Sequence, residues 1–192
     1  MFLENVPDAT PITPEEAAAL IPAFIATRTD LNIAEQRNIL SAERWAFRRR
    51  ENVLTEPFLR KLHFEMFGEV WTWAGQYRTT ARNLGIDAWR IPSALIELLD
   101  NVRFWLKNSV YTVDEVATRF HHQLVWIHPF PNGNGRHARL AADLLLTQHQ
   151  QPRLSWGRAS LQETTDTRKQ YIAALRAADN HDLEPLLKFV RT

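Results

Sequence analysis

Residues 128–139 read His128-Pro129-Phe130-Pro131-Asn132-Gly133-Asn134-Gly135-Arg136-His137-Ala138-Arg139, a cluster of breakers set between two helical patterns. Upstream, Thr112-Val113-Asp114-Glu115 is a capping box. Val113, Val116 or Ala117, Phe120, Leu124 and Ile127 follow at three-to-four spacing, which predicts a helix with one buried face. Pro129 disfavours α backbone at His128, so the helix ends there and a histidine sits where it opens into a loop. Downstream, RLAADLLLTQH resumes helix.

The loop has more breakers than a helix corner needs. Gly133 and Gly135 allow positive φ and close backbone approach, so successive N–H groups can converge on one point. The following helix adds free amides and the positive end of its dipole, which together favour a phosphate. Arg136 and Arg139 then stand in the first turn, where each cation opposes the dipole by roughly 0.3–1 kcal/mol. A bound polyanion reverses that sign. Asp143, one turn beyond Arg139, is placed to hold its guanidinium. His128 has the pKa range of a general base near neutral pH. Taken singly, each residue also fits a plain helix–turn–helix corner with a satisfied histidine and solvated arginines. Taken together, they point to phosphate-ester chemistry.

The rest of the chain supplies a helical frame. Its 192 residues suit one domain, 45% are hydrophobic, and seven tryptophans add large surfaces for burial. Six glycines are few for an all-β protein. A net charge of +1 gives no general attraction for polyanions, so nucleic acid is not an expected partner. The absence of cysteine excludes disulfides, thiol catalysis and cysteine-ligated metals. No signal peptide or run of transmembrane length is visible, so the expected setting is cytoplasmic, with no membrane partner.

Thr13-Pro14-Glu15-Glu16 predicts a helix start, with EEAAALIPAFIATR following and Pro22 kinking it. Further helices are expected over 33–50, over PFLRKLHFEMFG to Gly68, and over ALIELLDNVRFWLKN. Two more fill about 163–178 and 182–190. Between them, EVWTWAGQYRTTARNLGIDAWRIP is rich in aromatics and Thr, with breakers at Gly75, Asn83-Leu84-Gly85 and Pro92, and predicts a short hairpin.

HPFPNGNGRHAR resembles the Fic motif, H-x-F-x-(D/E)-G-N-G-R-x-x-R, at every fixed position but one. LHFEMFGEVWTWAGQYRTT resembles the segment leading into the Fic flap. The whole chain looks closest to the group called mobile mystery protein B. The resemblance implies a mainly α Fic fold, a helical bundle with a short β-hairpin flap. It divides the chain into an N-terminal helical extension (1–54), a Fic core (55–150) with flap at about 80–92 and motif loop at 128–139, and C-terminal helices of the same domain (151–192).

It also implies a function: a protein adenylyltransferase that moves AMP from ATP to a Tyr, Ser or Thr hydroxyl of a target protein. His128 would be the general base. Asn132, Gly133, Asn134, Gly135 and Arg136 would hold the phosphates, Arg139 would pair with the γ-phosphate, and Phe130 would anchor the loop. The flap around Leu84, Gly85 and Ile86 would clamp the target backbone by strand addition. Trp89 and Ile86 equally suit core packing.

The departing position is Asn132, where the family has Asp or Glu to hold Mg²⁺; an amide oxygen lacks the charge this ion favours. The expectation is weaker magnesium binding, with the phosphates supplying most ligands. Related readings are a Doc-like phosphotransferase, or a catalytically silent module that binds nucleotide or a partner in a mobile-element system resembling a toxin–antitoxin pair. Many relatives carry an inhibitory glutamate that pairs with the second motif arginine. The candidate here is Glu35 in Leu31-Asn32-Ile33-Ala34-Glu35-Gln36, which lacks the flanking residues of that pattern. His121 and His122 lack an acidic third ligand at suitable spacing and read as core or supporting residues. Arg48-Arg49-Arg50 reads as a helix-end cluster, and Trp71, Trp73 and Trp126 as core.

Overall fold

A computed structural model describes residues 18–49, 51–158 and 166–192. Among these, the elements are helices α1 (Arg28–Arg49), α2 (Glu56–Phe67), α3 (Ile91–Lys107), α4 (Val113–Ile127), α5 (Asn134–Gln148), α6 (Asp166–Asp179) and α7 (Glu184–Phe189). They share one hydrophobic core that runs from Ile25 to Val190.

The helix starts are set by side chains. Thr27 and Asp30 form a reciprocal cap on α1: the Asp30 carboxylate accepts from the Thr27 N–H at 2.8 Å, and the Thr27 hydroxyl accepts from the Asp30 N–H at 3.1 Å. Donation from the Thr27 hydroxyl, then from the Thr27 and Ala26 N–H groups, lowers the Asp30 carboxyl from its ordinary value. Thr55 caps α2 through the Phe58 N–H, and Thr112 caps α4 through the Glu115 N–H. Leu31, Glu35, Asn38, Ala42 and Ala46 form the buried stripe of α1, with two polar residues inside it. Asn38 links α1 to the end of α2, donating to the Glu65 carbonyl at 2.7 Å and accepting from the Glu69 N–H at 3.0 Å. α4 and α5 pack against each other on either side of the motif loop, and α2 and α3 flank them.

Two expected elements take other forms. The capping signal at 13–16 lies outside the described residues, but 18–27 is not helical. Leu20 pairs with Trp71 as an antiparallel bridge, flanked by bonds from the Ile21 N–H to the Val70 carbonyl and the Thr72 N–H to the Ala19 carbonyl. The helical propensity of the alanines yields there to tertiary pairing. The expected hairpin within 69–92 also does not form: residues 79–87 are irregular, with bends at 80 and 83–86, and Ala88–Arg90 is a 3₁₀ turn leading into α3. Pro92 occupies the first turn of α3, where its missing N–H costs nothing.

Candidate active site

His128 closes α4 in the left-handed conformation (φ 53°, ψ 60°), with its N–H still bonded to the Leu124 carbonyl. That is an uncommon state for a residue with a Cβ, and the surroundings impose it. The Arg78 guanidinium donates to the His128 carbonyl at 2.6 Å, to the Thr80 carbonyl at 2.9 Å, to Ile127 at 3.4 Å and to Ile86. The Arg78 N–H adds a bond to the Pro129 carbonyl at 3.0 Å. One side chain therefore ties the end of α4 to both sides of the flap segment. Gly85, at φ +95°, lies so close that an added Cβ would come within 2.5 Å of the His128 Cβ. The flap thus crosses directly over the histidine. Leu84 is exposed, Ile86 half-buried, and Trp89 is 80% exposed, which removes core packing as an account of Trp89.

Burial, reinforced by the positive charges of Arg78 and Arg82 and opposed by a bond to the Val125 carbonyl, pushes His128 down to about 4. Its imidazole is neutral at pH 7, the form a base requires.

The loop after His128 is fixed from beneath. Phe130 is buried between two histidines, stacked on His63 at 3.8 Å and edge-on to His137 at 5.1 Å. The Gly75 N–H donates to His63 Nδ1, so His63 Nε2 carries the proton and donates to the Asn132 carbonyl, each at 3.0 Å. His137 bonds the Leu59 carbonyl at 2.9 Å. Burial holds both rings far below the ordinary imidazole range, His137 at about 4.

Asn134 closes on the Phe130 backbone. Its side-chain oxygen accepts from the Phe130 N–H at 2.9 Å and its NH₂ donates to the Phe130 carbonyl at 2.8 Å. The side-chain amide shapes the loop. The same clamp lets α5 begin at Asn134, five residues before the resumption expected at Arg139. Gly133 sits at φ +79°, and a Cβ there would strike the Phe67 ring at 2.5 Å.

Gly135 differs from its neighbour. Among the described residues, a Cβ on it would meet only Arg139 Nη1 at 3.8 Å and the Tyr171 hydroxyl at 3.9 Å, both ordinary contacts. Glycine in a helix costs about 0.5–1 kcal/mol relative to alanine. Among the described residues, neither a positive φ nor a tight contact demands glycine here.

The two arginines beside Gly135 are held differently. Arg136 Nη1 bonds Glu35 Oε2 at 2.5 Å and its guanidinium lies 4.8 Å from the Phe67 ring centre. Glu35 also accepts from the Trp71 indole at 2.8 Å. The inhibitory candidate therefore pairs with the first motif arginine, not the second. Arg139 instead lies over Tyr171, 5.6 Å from its ring centre. Asp143 does not reach back to Arg139 either: it binds Arg153, the Leu154 N–H at 3.1 Å and the Trp156 indole at 3.2 Å. The i, i+4 pairing yields to a buried position where the Leu154 N–H and the Trp156 indole donate to this carboxylate.

Asn132 offers a metal little. Its amide oxygen accepts from the Gly133 N–H at 2.6 Å, and among the described residues no group of three or more His, Asp or Glu is placed to hold an ion. A neutral oxygen already engaged does not fit magnesium, which favours charged oxygens. His121 is buried against Tyr171, and His122 pairs with Asp179 at 2.8 Å, which accounts for both without a metal. Trp71 and Trp73 are core, whereas Trp126 is half exposed, contrary to expectation. Arg48 and Arg49 fall in the last turn of α1, where cations complement the dipole.

Residues missing from the sequence reading are Arg78, His63 and Tyr171. Arg78 stands in the quoted GQYRTT stretch, but nothing in its spacing shows that four carbonyls converge on it.

Known proteins converge on the same segment. Residues 53–146 match the model of the Fic/DOC family. The chain carries a Fic/DOC family domain. Protein adenylyltransferase fic-1 of Caenorhabditis elegans is 33% identical over 120 residues, covering 61% of this chain and 22% of that protein. The chain thus spans about a fifth of that relative's length. The solved structure of Fic-1 (residues 134–508) from C. elegans matches with TM-score 0.65 at 25% identity, covering 82% of this chain and 48% of that one. BepC from Bartonella tribocorum, solved with bound AMPPNP, matches with TM-score 0.64 at 17% identity, covering 93% and 97%. The mainly helical architecture is the Fic fold. No described helix is long and apolar enough to cross a membrane.

Proposed function

We propose that this chain is a protein adenylyltransferase. The observation that carries the reading is the space over Gly135, walled by Arg139 and opening the positive end of α5, on a loop that begins at a neutral buried histidine. It is a seat for phosphates beside a base. The fic-1 relative bears the name of this activity, and the BepC neighbour holds an ATP analogue.

The chemistry follows from the groups present. His128 takes the proton of a Tyr, Ser or Thr hydroxyl on the target protein. The hydroxyl oxygen forms a bond to the α-phosphorus of ATP while the bond to the bridging oxygen breaks, and pyrophosphate leaves. The amides at the start of α5 and the two arginines neutralise charge on the phosphates, which is where most of the rate enhancement in such transfers resides. The target docks along Leu84–Ile86, fixed over His128 by Gly85 and Arg78. Magnesium, in this reading, arrives on the phosphates of ATP.

Glu35 aligns Arg136 within the seat and leaves Arg139 open, so self-inhibition through this glutamate is not part of the proposal. A cytoplasmic setting and a regulatory partner of toxin–antitoxin type belong to the same reading, the latter on resemblance alone.

Incubation with host lysate and ATP labelled on either the α- or the γ-phosphate tests the activity. Transfer of the α-label alone, lost by at least ~100-fold in His128→Ala, is the expected result. Transfer of the γ-label means phosphotransfer, and reproducible absence of both means a binding module. The free-enzyme profile of kcat/KM is expected to stay flat from pH 7 to about 5 and to fall through about 4, because His128 is lowered to that value by burial and must be neutral to act.

A further inference from the structure

The C-terminal helix α6 contributes to the phosphate seat. Tyr171 is buried, with its hydroxyl 2.9 Å from His121 Nε2 and its ring beneath the Arg139 guanidinium. The Tyr171 hydroxyl and Arg139 Nη1 border the same glycine, Gly135. Trp156 covers the His121 ring, with centroids 4.5 Å apart, so the imidazole has a fixed plane.

A guanidinium only donates, so toward Arg139 the phenol oxygen is the acceptor. In the His121 tautomer that carries its proton on Nδ1, the phenol donates its own proton to Nε2 at 2.9 Å. Burial keeps His121 well below the ordinary imidazole range, which preserves that acceptor at neutral pH. His121 thus orients the Tyr171 hydroxyl, and Tyr171 offers Arg139 both a lone pair and an aromatic face.

We propose that Tyr171 is a positioning residue for Arg139, holding the guanidinium at the rim of Gly135 so that the site favours nucleotides with a terminal phosphate. The inference rests on Arg139 as the γ-phosphate contact, and its consequence is selectivity among nucleotides rather than affinity for all of them. A residue that merely supported the fold would weaken every nucleotide alike.

The test is equilibrium binding of AMPPNP and of AMP to the full chain and its variants. Tyr171→Phe is expected to weaken AMPPNP about tenfold, the scale of one hydrogen bond to a charged group, and to leave AMP within about twofold. Arg139→Ala is expected to weaken AMPPNP at least as much, with Tyr171→Phe adding nothing in that background. Equal losses for AMPPNP and AMP, or additive losses in the double variant, would overturn the positioning role while leaving the seat intact. Unchanged AMPPNP binding in Arg139→Ala would overturn the γ-phosphate assignment itself. Should Tyr171→Phe lose its melting transition, His121→Asn carries the same comparison: a selective several-fold loss of AMPPNP supports the proposal, and equal losses reject it.

Discussion

The motif loop and the flap segment face each other across His128, and they are built in opposite ways. The loop is held by many side chains, each with one duty: His63 on the Asn132 carbonyl, Asn134 on the Phe130 backbone, and Phe67 filling the place of a Gly133 Cβ. The flap has no strand partner, and its Thr80 and Ile86 carbonyls share a single guanidinium, that of Arg78. A distributed scaffold keeps catalytic groups within the small tolerances that phosphoryl-group transfer demands. A segment whose carbonyls depend on one guanidinium, beside the close Gly85 contact, is better suited to follow targets of different sequence.

Substitutions in the two regions should therefore fail differently. The largest effect is expected from Gly133→Ala. A Cβ at φ +79° costs about 1–2 kcal/mol of backbone strain, and its collision with Phe67 adds about 1–3 kcal/mol more. A fall of several degrees in Tm, with transfer lost, checks it; an unchanged melt would mean that the loop is softer than its contacts imply. Arg78→Ala is expected to lower target modification about 10–100-fold while ATP affinity stays within about threefold, and to make the segment at 79–87 sensitive to limited proteolysis. If ATP affinity falls as far as transfer, the loop depends on the flap and the contrast collapses.

Glu35→Gly sharpens the reading of the loop. Removing the partner of Arg136 is expected to reduce transfer by about tenfold, whereas an inhibitory glutamate would give a rise; the sign of the change in autoAMPylation decides. The smallest effect belongs to Asn132→Asp. It supplies the charge the loop lacks, and the Mg²⁺ concentration giving half-maximal transfer should drop about three- to tenfold.

The same contrast explains what could be read in advance. The loop was legible because chemistry fixes residue type at each step: a proline after His128, glycines where the backbone closes in, and arginines where cations are otherwise unfavourable. The capped helix α4 was legible for the same reason, since Thr112 and the apolar spacing are local signals. The flap misled because its aromatics and breakers match a hairpin, while the groups that satisfy its backbone come from a distant arginine. The segment around Leu20 misled likewise, its alanines suggesting helix where pairing with Trp71 prevails. The bonds of the Asn134 amide to the Phe130 backbone were not legible, because a motif gives a residue's place and not the direction of its side chain. His63 and Tyr171 lie 65 and 43 positions from His128, reckoned along the chain, and only the packing of α2 and α6 makes them neighbours of the loop.

Asp143 gives the molecule a boundary that likeness to other proteins does not. Its carboxylate gathers Arg153, the Leu154 N–H and the Trp156 indole onto α5, and from there Ser155 bonds the Val190 carbonyl near the end of the chain. The match to the family model ends at 146, between Asp143 and the residues it gathers. Anyone trimming the protein to that recognisable part would keep every letter of the motif and discard the helix beneath Arg139. The fold shared with BepC extends over 93% of this chain, well past that match, so any transplant of the motif into another chain should carry the C-terminal helices with it.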